Sequence, residues 1–315
     1  MSASAVLPPH RTRRAPFSEA LLALGRERAD VVVLSADLAR YTDVQPFAER
    51  WPERFFQVGM AEQNLMGIAG GLAKTGLLPI AVTYGVFATR RAYDQLAMAM
   101  ATGPSRGIVV AFLPGITTPF RATHQAIDDV SILRALPGLT IIDPADATEM
   151  TAATHAAVAH DGPVYIRGLR GEVAQLFDPD RFELRLGRAR RLGRGADVGL
   201  ISTGLGTQWA VEAAGLLGER GLGASILHVP TLKPADADAI TAFAAGFDTI
   251  ASIENHSVIG GLGSVVAEAL AEAGVGTRLL RLGVPDRWAP AGSLDAIRRE
   301  LRLDALGIAE AVMPR

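Results

Sequence analysis

Gly59-Met60-Ala61-Glu62-Gln63-Asn64 joins a short apolar run, residues 55–58, to a stretch in which apolar residues recur every three to four positions. The run predicts a strand, and the periodic stretch predicts a helix that begins near Ala61 and ends near Gly76. The first glycine of the segment permits the tight turn between them. Glu62 therefore lies in the first turn of a buried helix, just beyond the carboxyl end of a strand. Open parallel sheets bind their ligands at that edge.

The same alternation of strand and helix continues along the chain. Continuous apolar runs separated by stretches of helical period indicate parallel sheets covered by helices on both faces. The other predicted strands are residues 31–34, 80–83, 108–113, 140–142, 164–166, 198–202, 225–228, 249–253 and 279–282. The sequence therefore predicts an α/β protein.

The length of the chain, 315 residues with 49% hydrophobic composition, exceeds that of one average domain. A polar stretch rich in Arg and Gly, from Leu169 to Ala196, shows no helical pattern and is predicted to connect two domains. We expect two parallel-sheet α/β/α domains in tandem, at residues 10–178 and 187–315.

Composition excludes several functions. The net charge is −2 and basic residues cluster only at Arg11, Arg13 and Arg14, so we expect no nucleic-acid partner. The absence of Cys excludes disulfides and thiolate chemistry and fits a reducing compartment. No apolar stretch approaches the roughly 20 residues that span a bilayer, and no signal-peptide pattern opens the chain. A soluble, cytoplasmic protein without a membrane partner is expected.

Several segments match one enzyme family in order. Besides the segment quoted first, they are Ser35-Ala36-Asp37-Leu38, Tyr84-Gly85-Val86-Phe87, Arg90-Arg91-Ala92-Tyr93-Asp94-Gln95, Thr123-His124-Gln125, Pro144-Ala145-Asp146, Asp161-Gly162-Pro163-Val164 and Ile259-Gly260-Gly261-Leu262-Gly263-Ser264. From about Phe17 onward the chain resembles transketolases, with the related deoxyxylulose-phosphate synthases and 2-oxoacid dehydrogenase beta chains. The resemblance implies a pyrimidine-binding domain for thiamine diphosphate, followed by the Rossmann-like transketolase C-terminal domain.

The resemblance assigns Glu62, Tyr84, Phe87 and Asp37 to the cofactor. A carboxylic acid that shares a proton with the pyrimidine nitrogen favours the tautomer needed for catalysis, and the two aromatic rings would stack on the pyrimidine. The family places Asp37 near the cofactor at the subunit contact. Taken alone, Glu62 could complement the helix dipole, the aromatic residues could be ordinary core, and Asp37 could be a turn residue.

The resemblance also supplies substrate-binding candidates. His124 would face the reacting carbons, where an imidazole moves protons or binds a developing alkoxide, and is expected to be catalytic together with Glu62. Arg170 and Arg90 would grip a substrate phosphate through paired hydrogen bonds, with Arg14 as a further candidate. A loop histidine can instead be structural, and an arginine can be a surface ion-pair partner.

Two glycine-rich turns suggest a dinucleotide site. They are Gly204-Leu205-Gly206 and Gly260-Gly261-Leu262-Gly263. Neither completes the G-x-G-x-x-G spacing, since Trp209 occupies the third position after Gly206. The family's C-terminal domain binds no cofactor and mainly builds the dimer, so we expect both turns to be structural.

Two features depart from the family pattern. Phe120 replaces an Asp that contacts substrate hydroxyls, and Tyr41 corresponds roughly to a phosphate-binding Ser, so an altered sugar substrate is an open alternative. The chain also lacks the Gly-Asp-Gly segment followed by paired Asn that binds the divalent metal of the diphosphate. We therefore expect Mg²⁺ to be held mainly by a separate N-terminal-section subunit, as in bacterial split transketolases.

The sequence thus predicts the C-terminal-section subunit of a transketolase, which transfers a two-carbon ketol unit between sugar phosphates. A heterotetramer with two partner chains is expected, with self-association through both domains. The alternatives are a 1-deoxy-D-xylulose-5-phosphate-synthase-like or 2-oxoacid dehydrogenase beta-type activity, and a non-catalytic regulatory subunit. The context of His124 and the Phe120 replacement argue against the enzymatic alternatives, while the retained site residues argue against a regulatory subunit.

Overall fold

A computed structural model of the protein describes residues 11–103 and 106–313. The strands are β1 (Thr12–Arg14), β2 (Val31–Ser35), β3 (Phe55–Gln57), β4 (Leu78–Tyr84), β5 (Ile108–Phe112), β6 (Thr140–Ile142), β7 (Val164–Gly168), β8 (Glu172–Ala174), β9 (Arg190–Leu192), β10 (Val198–Ser202), β11 (Ala224–His228), β12 (Thr231–Lys233), β13 (Thr249–Ser257) and β14 (Arg278–Val284).

The helices alternate with these strands. They are α1 (Pro16–Glu27), α2 (Gln45–Arg50), α3 (Glu62–Lys74), α4 (Tyr93–Gln95), α5 (Asp129–Leu133), α6 (Ala147–Ala159), α7 (Leu205–Glu219), α8 (Ala237–Ala244), α9 (Leu262–Glu272), α10 (Leu294–Glu300) and α11 (Ala305–Val312). Short π-helical segments, Phe87–Arg91 and Leu96–Met100, flank α4, and 3₁₀ turns span Pro52–Arg54 and Arg121–Thr123.

The first sheet has seven strands in the order β12, β6, β7, β5, β4, β2, β3. All neighbours are parallel except β12, which pairs antiparallel with β6 at the edge. Side chains alternate between the two faces of β2, so Val31 and Val33 pack with α1 and α6, whereas Val32 and Leu34 pack with α3. Burial on both faces explains why the strands are continuously apolar.

The second sheet has five strands in the order β14, β13, β10, β11, β9. The first four are parallel, and β9 pairs antiparallel with β11. Ile201 packs with α8 and α9 on one face, and Leu200 packs with α7 and α11 on the other. The predicted α/β class, with two parallel sheets in tandem, is confirmed, although one antiparallel strand is added to each sheet.

The connection between Leu169 and Ala196 contains no helix, as predicted, but it includes two short strands that the sequence did not predict. Strand β8 pairs antiparallel with β1, and β9 joins the second sheet. Both strands have only three residues, each including at least one charged residue, so neither is long enough to show an apolar run or a clear alternation.

Strand β12 lies in the second half of the sequence but completes the first sheet. The two halves of the chain therefore share a sheet edge and a core. No local sequence pattern predicts this pairing. The division into residues 10–178 and 187–315 stays a prediction, and residues 10, 314 and 315 lie outside the described residues.

A buried ionic cluster joins the two halves. The Arg167 guanidinium lies 2.9 Å from the Asp129 carboxylate and 3.0 Å from that of Asp143, and it donates to the Asn255 carbonyl of β13 at 3.0 Å. Removing one partner of a buried ionic cluster leaves an unpaired charge and costs about 3–5 kcal/mol. Arg167 therefore fixes β13 against the loops that follow the first sheet.

Within residues 11–103 and 106–313, no helix has both the length and the apolar character needed to cross a membrane.

Candidate active site

The carboxyl edge of the first sheet brings the predicted site residues together. Asp37 follows β2, Glu62 opens α3 beyond β3, Tyr84 ends β4, His124 follows β5 and Arg170 follows β7. Neighbouring parallel strands end at the same edge, so residues far apart in sequence become neighbours.

Aromatic rings surround the imidazole of His124. The rings of Tyr84 and Phe87 have their centroids 6.0 Å apart and are inclined by 30°. The His124 ring lies edge-on to both, at 5.3 Å from Phe87 and 6.2 Å from Tyr84, and Phe120 lies 5.1 Å from His124 on another side. Phe120 is 62% exposed, so its ring is accessible to a ligand bound beside His124.

The carboxyl group of Glu62 is buried and paired with an arginine. Glu62 stands in the first turn of α3 with its side chain 1% exposed, and its Oε2 accepts a hydrogen bond from Arg91 Nη1 at 2.8 Å. The guanidinium carbon of Arg91 also lies 4.2 Å from the centroid of the Phe87 ring. Arg91 thus connects the acid to the aromatic pair.

Arg170 carries an unpaired donor beside Tyr84. Its guanidinium carbon lies 6.0 Å from the Tyr84 ring centroid, and its Nε is buried with no hydrogen-bond partner among the described residues. Burial raises the pKa of the Tyr84 hydroxyl, while the positive charge of Arg170 opposes that shift. An unpaired buried N–H is costly, so this donor favours a ligand that offers an acceptor oxygen.

Arg90, by contrast, is fully engaged within the chain. Its Nε and Nη2 each lie 2.8 Å from oxygens of the Asp128 carboxylate, and Nη1 donates to the Ala122 carbonyl at 2.7 Å. A further bond runs to the Gln125 carbonyl at 3.2 Å, and the guanidinium carbon lies 5.0 Å from the Trp288 ring centroid. Arg90 therefore ties the π-helical segment to both sides of His124.

The second half of the chain holds the loop that carries His124. Gln125 donates from Nε2 to the carbonyls of Thr118 and Pro290, at 3.1 Å each. Asn255 accepts from the Ile116 amide at 2.9 Å. At Gly115, whose φ is +56°, a Cβ would lie 2.1 Å from the Asn255 side chain, so only glycine fits there.

Asp37 and Arg14 lie at the margin of this edge. Asp37 is exposed, with φ of +60°, and its backbone amide donates to Gln57 Oε1 at 2.7 Å. Arg14 is exposed on β1, opposite Glu172 in the antiparallel pair, which places its backbone beside the segment that follows Arg170. The structure gives neither side chain a partner among the described residues.

The two glycine-rich turns are filled by protein atoms. At the start of α9, Glu254 accepts from the amides of Leu262 and Gly263 at 2.7 and 2.9 Å, where a phosphate would otherwise bind. A Cβ at Gly204 would lie 2.3 Å from Asp143, and one at Gly206 would lie 2.5 Å from the Ile253 carbonyl. These glycines therefore allow close packing.

Sequence reasoning did not assign a role to Arg91. The matching segment contains two adjacent arginines, and the sequence does not show which one faces the site. The π-helical turn over Phe87–Arg91 directs Arg90 towards the His124 loop and Arg91 towards Glu62. π-Helical turns are frequent at functional sites, but no sequence pattern predicted the one at Phe87–Arg91.

Two family models match the chain. The model described as "Transketolase, pyrimidine binding domain" covers residues 11–175, and that described as "Transketolase, C-terminal domain" covers residues 187–308. The chain belongs to the transketolase family, which confirms the resemblance seen in the sequence.

Relatives of similar length carry transketolase names. The chain is 38% identical over 299 residues to a 6-deoxy-6-sulfo-D-fructose transketolase subunit of Clostridium sp. (strain MSTE9), covering 95% of this chain and 92% of that protein. It is 34% identical over 306 residues to a transketolase C-terminal section of Methanocaldococcus jannaschii, covering 96% of each.

A solved structure described as a split gene transketolase, inactive beta4 tetramer, superposes with a TM-score of 0.85 at 36% identity, covering 95% of this chain and 97% of that chain. The 1-deoxy-D-xylulose-5-phosphate synthase 1 of Geobacter sulfurreducens is 36% identical over 297 residues, or 94% of this chain. The chain spans 46% of that synthase.

Proposed function

We propose that the chain is the C-terminal-section subunit of a thiamine-diphosphate-dependent transketolase, which transfers a two-carbon ketol unit between sugar phosphates. The observation that carries the proposal is the site at the carboxyl edge of the first sheet. There a buried carboxyl group, two near-parallel aromatic rings, an imidazole and an unpaired guanidinium lie in one continuous chain of contacts.

The residues present fit the pyrimidine end of thiamine diphosphate. The ring of Phe87 offers a flat surface, and the carboxyl group of Glu62 lies near it at the start of α3. One planar group can contact both, because the guanidinium of Arg91 lies over the Phe87 ring and bonds to Glu62. Bound there, thiamine diphosphate supplies the nucleophilic carbon that accepts the two-carbon unit.

Each residue of the site has a role that follows from its position. Glu62 would share a proton with the pyrimidine nitrogen, and Tyr84 and Phe87 would fix the plane of the ring and exclude water from it. His124, edge-on to both rings, would donate or accept a proton at the oxygen of the substrate carbonyl. Arg170 would bind the substrate phosphate through its unpaired N–H donors.

Asp37, Arg14 and Arg90 have weaker support. Asp37 is exposed at the edge, where a neighbouring subunit could bring it near the cofactor, as the family pattern suggests. Arg14 lies beside the Arg170 segment and stays a phosphate candidate. Because Asp128 and two carbonyls already occupy Arg90, we propose that Arg90 positions the His124 loop and does not bind phosphate.

A partner subunit would supply the other half of the site. Among the described residues no group of three or more His, Cys, Asp or Glu side chains is arranged to bind a metal ion. We propose that an N-terminal-section subunit holds Mg²⁺ and the diphosphate, in a heterotetramer in which this chain also contacts its own copy. The solved relative described as a split gene transketolase, inactive beta4 tetramer, supports the contact between copies and the need for a partner subunit. The cytoplasm is the proposed location, since the chain has no cysteine.

A synthase-like activity is the second candidate. The chain is as similar to part of a deoxyxylulose-phosphate synthase as it is to the solved split transketolase, at 36% identity in each comparison. Turnover of pyruvate without a ketose donor, in the presence of the partner subunit, would favour that activity over ketol transfer.

The Glu62→Gln variant tests the mechanism. Glutamine keeps the size of the side chain but cannot share a proton with the pyrimidine, so turnover in the complex with the partner should fall at least about hundredfold. Size-exclusion chromatography should show the same assembly as the wild type. Unchanged activity in this variant would rule out the role assigned to Glu62.

A further inference from the structure

Arg91 lies where the pyrimidine ring is expected. Its guanidinium faces the Phe87 ring, with 4.2 Å between the guanidinium carbon and the ring centroid, and its Nη1 lies 2.8 Å from Glu62 Oε2. These are the ring and the carboxyl group assigned to the cofactor. No other charged side chain of the described residues pairs with Glu62.

The guanidinium and the aminopyrimidine share two features, a planar shape that stacks on an aromatic ring and the ability to pair with a carboxyl group. A guanidinium is planar, stacks on aromatic faces and directs N–H donors in its plane towards a carboxylate. An aminopyrimidine is also planar and pairs with a carboxylic acid through a ring nitrogen, which shares the proton of the acid. The Arg91 guanidinium covers the Phe87 ring and bonds to Glu62 Oε2, so a pyrimidine ring that stacks on the same face and pairs with the same oxygen would compete with it.

We propose that Arg91 is a placeholder for the pyrimidine ring of the cofactor, which must move aside when thiamine diphosphate binds. The proposal rests on the proposed function and concerns the order of events at the same site. Arg91 pairs the buried carboxylate of Glu62 while no cofactor is present, since a bare buried charge would be costly.

The exposure of Arg91 makes this movement feasible. Glu62 is 1% exposed, whereas the Arg91 side chain is 47% exposed and can swing into solvent. Its other contact among the described residues is with Phe87, so its departure breaks no further hydrogen bond of those residues. The cofactor therefore competes with one flexible side chain. Its apparent Kd equals the intrinsic Kd divided by the fraction of molecules in which Arg91 has moved aside, so the Arg91 contact weakens binding.

The first test is a double-mutant cycle on the stability of the free chain. Arg91→Ala should lower the midpoint of thermal unfolding by about 2–4 °C, because Glu62 loses its partner. The same change in a Glu62→Gln background should have almost no effect. The matched control is Arg26→Ala, which changes an exposed arginine of α1 that has no ion-pair partner among the described residues. Equal effects in both backgrounds would contradict the ion pair.

The second test measures binding of thiamine diphosphate with Mg²⁺ to the complex with the partner, by isothermal titration calorimetry. With the placeholder removed, Arg91→Ala should bind about fivefold more tightly than the wild type, and Arg26→Ala should match the wild type. Unchanged or weaker binding in Arg91→Ala would overturn the placeholder and leave the proposed function standing. A wild-type complex that binds no thiamine diphosphate would overturn both.

Discussion

At the scale of single residues, the charges at the sheet edge divide into partnered and unpartnered groups. Glu62 pairs with Arg91, and Arg90 pairs with Asp128, whereas the buried Nε of Arg170 has no hydrogen-bond partner among the described residues. A charge that the chain leaves unpaired beside an aromatic cluster is the natural place for an anionic substrate group. Only their contacts in the structure distinguish Arg90, Arg91 and Arg170, because all three lie just after predicted strands and no sequence pattern separates them.

Replacing Arg170 with alanine should weaken substrate binding. A charge-assisted pair of hydrogen bonds contributes about 1.5–3 kcal/mol, so KM for a phosphorylated ketose should rise about tenfold or more, with kcat little changed. Steady-state kinetics of the complex with its partner measure this, and an unphosphorylated ketose is the control, because its KM should not change. A fall in kcat with unchanged KM would assign Arg170 a different role.

At the scale of elements, the site depends on how loops leave the sheet. The π-helical turn after β4 separates the directions of Arg90 and Arg91, and the loop after β5 is tied to Arg90 on one side and to Asn255 on the other. The position of His124 is thus set by two elements that are distant in sequence.

Loosening this loop should reduce turnover without weakening phosphate binding. Arg90→Ala removes the bonds to Asp128 and to the Ala122 and Gln125 carbonyls, so kcat should fall about tenfold while KM stays within about twofold. Asp128→Asn, which weakens the other end of the same contact, should produce the same pattern to a smaller degree. If KM rises instead, Arg90 is a phosphate ligand, as the family pattern suggested.

Much of the first sheet was predictable because strands β2, β4, β5, β6 and β7 are buried on both faces and therefore read as apolar runs. The start of α3 and the place of Glu62 followed from the turn glycine and the helical period. Strands β1, β8, β9 and β12 were not predicted, since each has three residues that include a charged one and pairs with a strand that is remote in sequence. Arg91 was missed for a related reason: a π-helical turn changes the direction of a side chain without changing the sequence motif.

At the scale of the whole molecule, buried polar groups join the two halves. His256 of β13 lies within the cluster of Arg167, Asp129 and Glu254, with its Nε2 3.7 Å from Asp129 and its Nδ1 2.8 Å from the Ser257 carbonyl. Burial lowers the pKa of His256 from 6.5 to about 4. The link between the halves is therefore sensitive to acid.

The contribution of His256 to stability should fall as the medium becomes acidic, whereas burial raises the pKa of Glu254 to about 8 and that of Asp146 to about 7, which acts in the opposite direction. The unfolded chain takes a proton on His256 below about pH 6.5 and the folded chain only near pH 4, so the contribution of His256 to the free energy of unfolding should drop by about 3 kcal/mol across that window. Urea unfolding at a series of pH values measures the slope. In His256→Asn, whose amide can still donate to the Ser257 carbonyl, this contribution is absent, so the free energy of unfolding of the variant relative to the wild type should rise by about 3 kcal/mol from pH 6.5 to pH 4. An identical pH profile in both proteins would exclude His256 as its source.

The most direct measurement is ketol transfer from a ketose phosphate to an aldose phosphate, with thiamine diphosphate and Mg²⁺, by this chain alone and by its mixture with an N-terminal-section subunit. Activity in the mixture and none in either subunit alone is the predicted result, because this chain presents only the pyrimidine side of the site. Equal activity from this chain alone would contradict the half-site account. Inactivity of a mixture that assembles and binds the cofactor would contradict ketol transfer as its reaction.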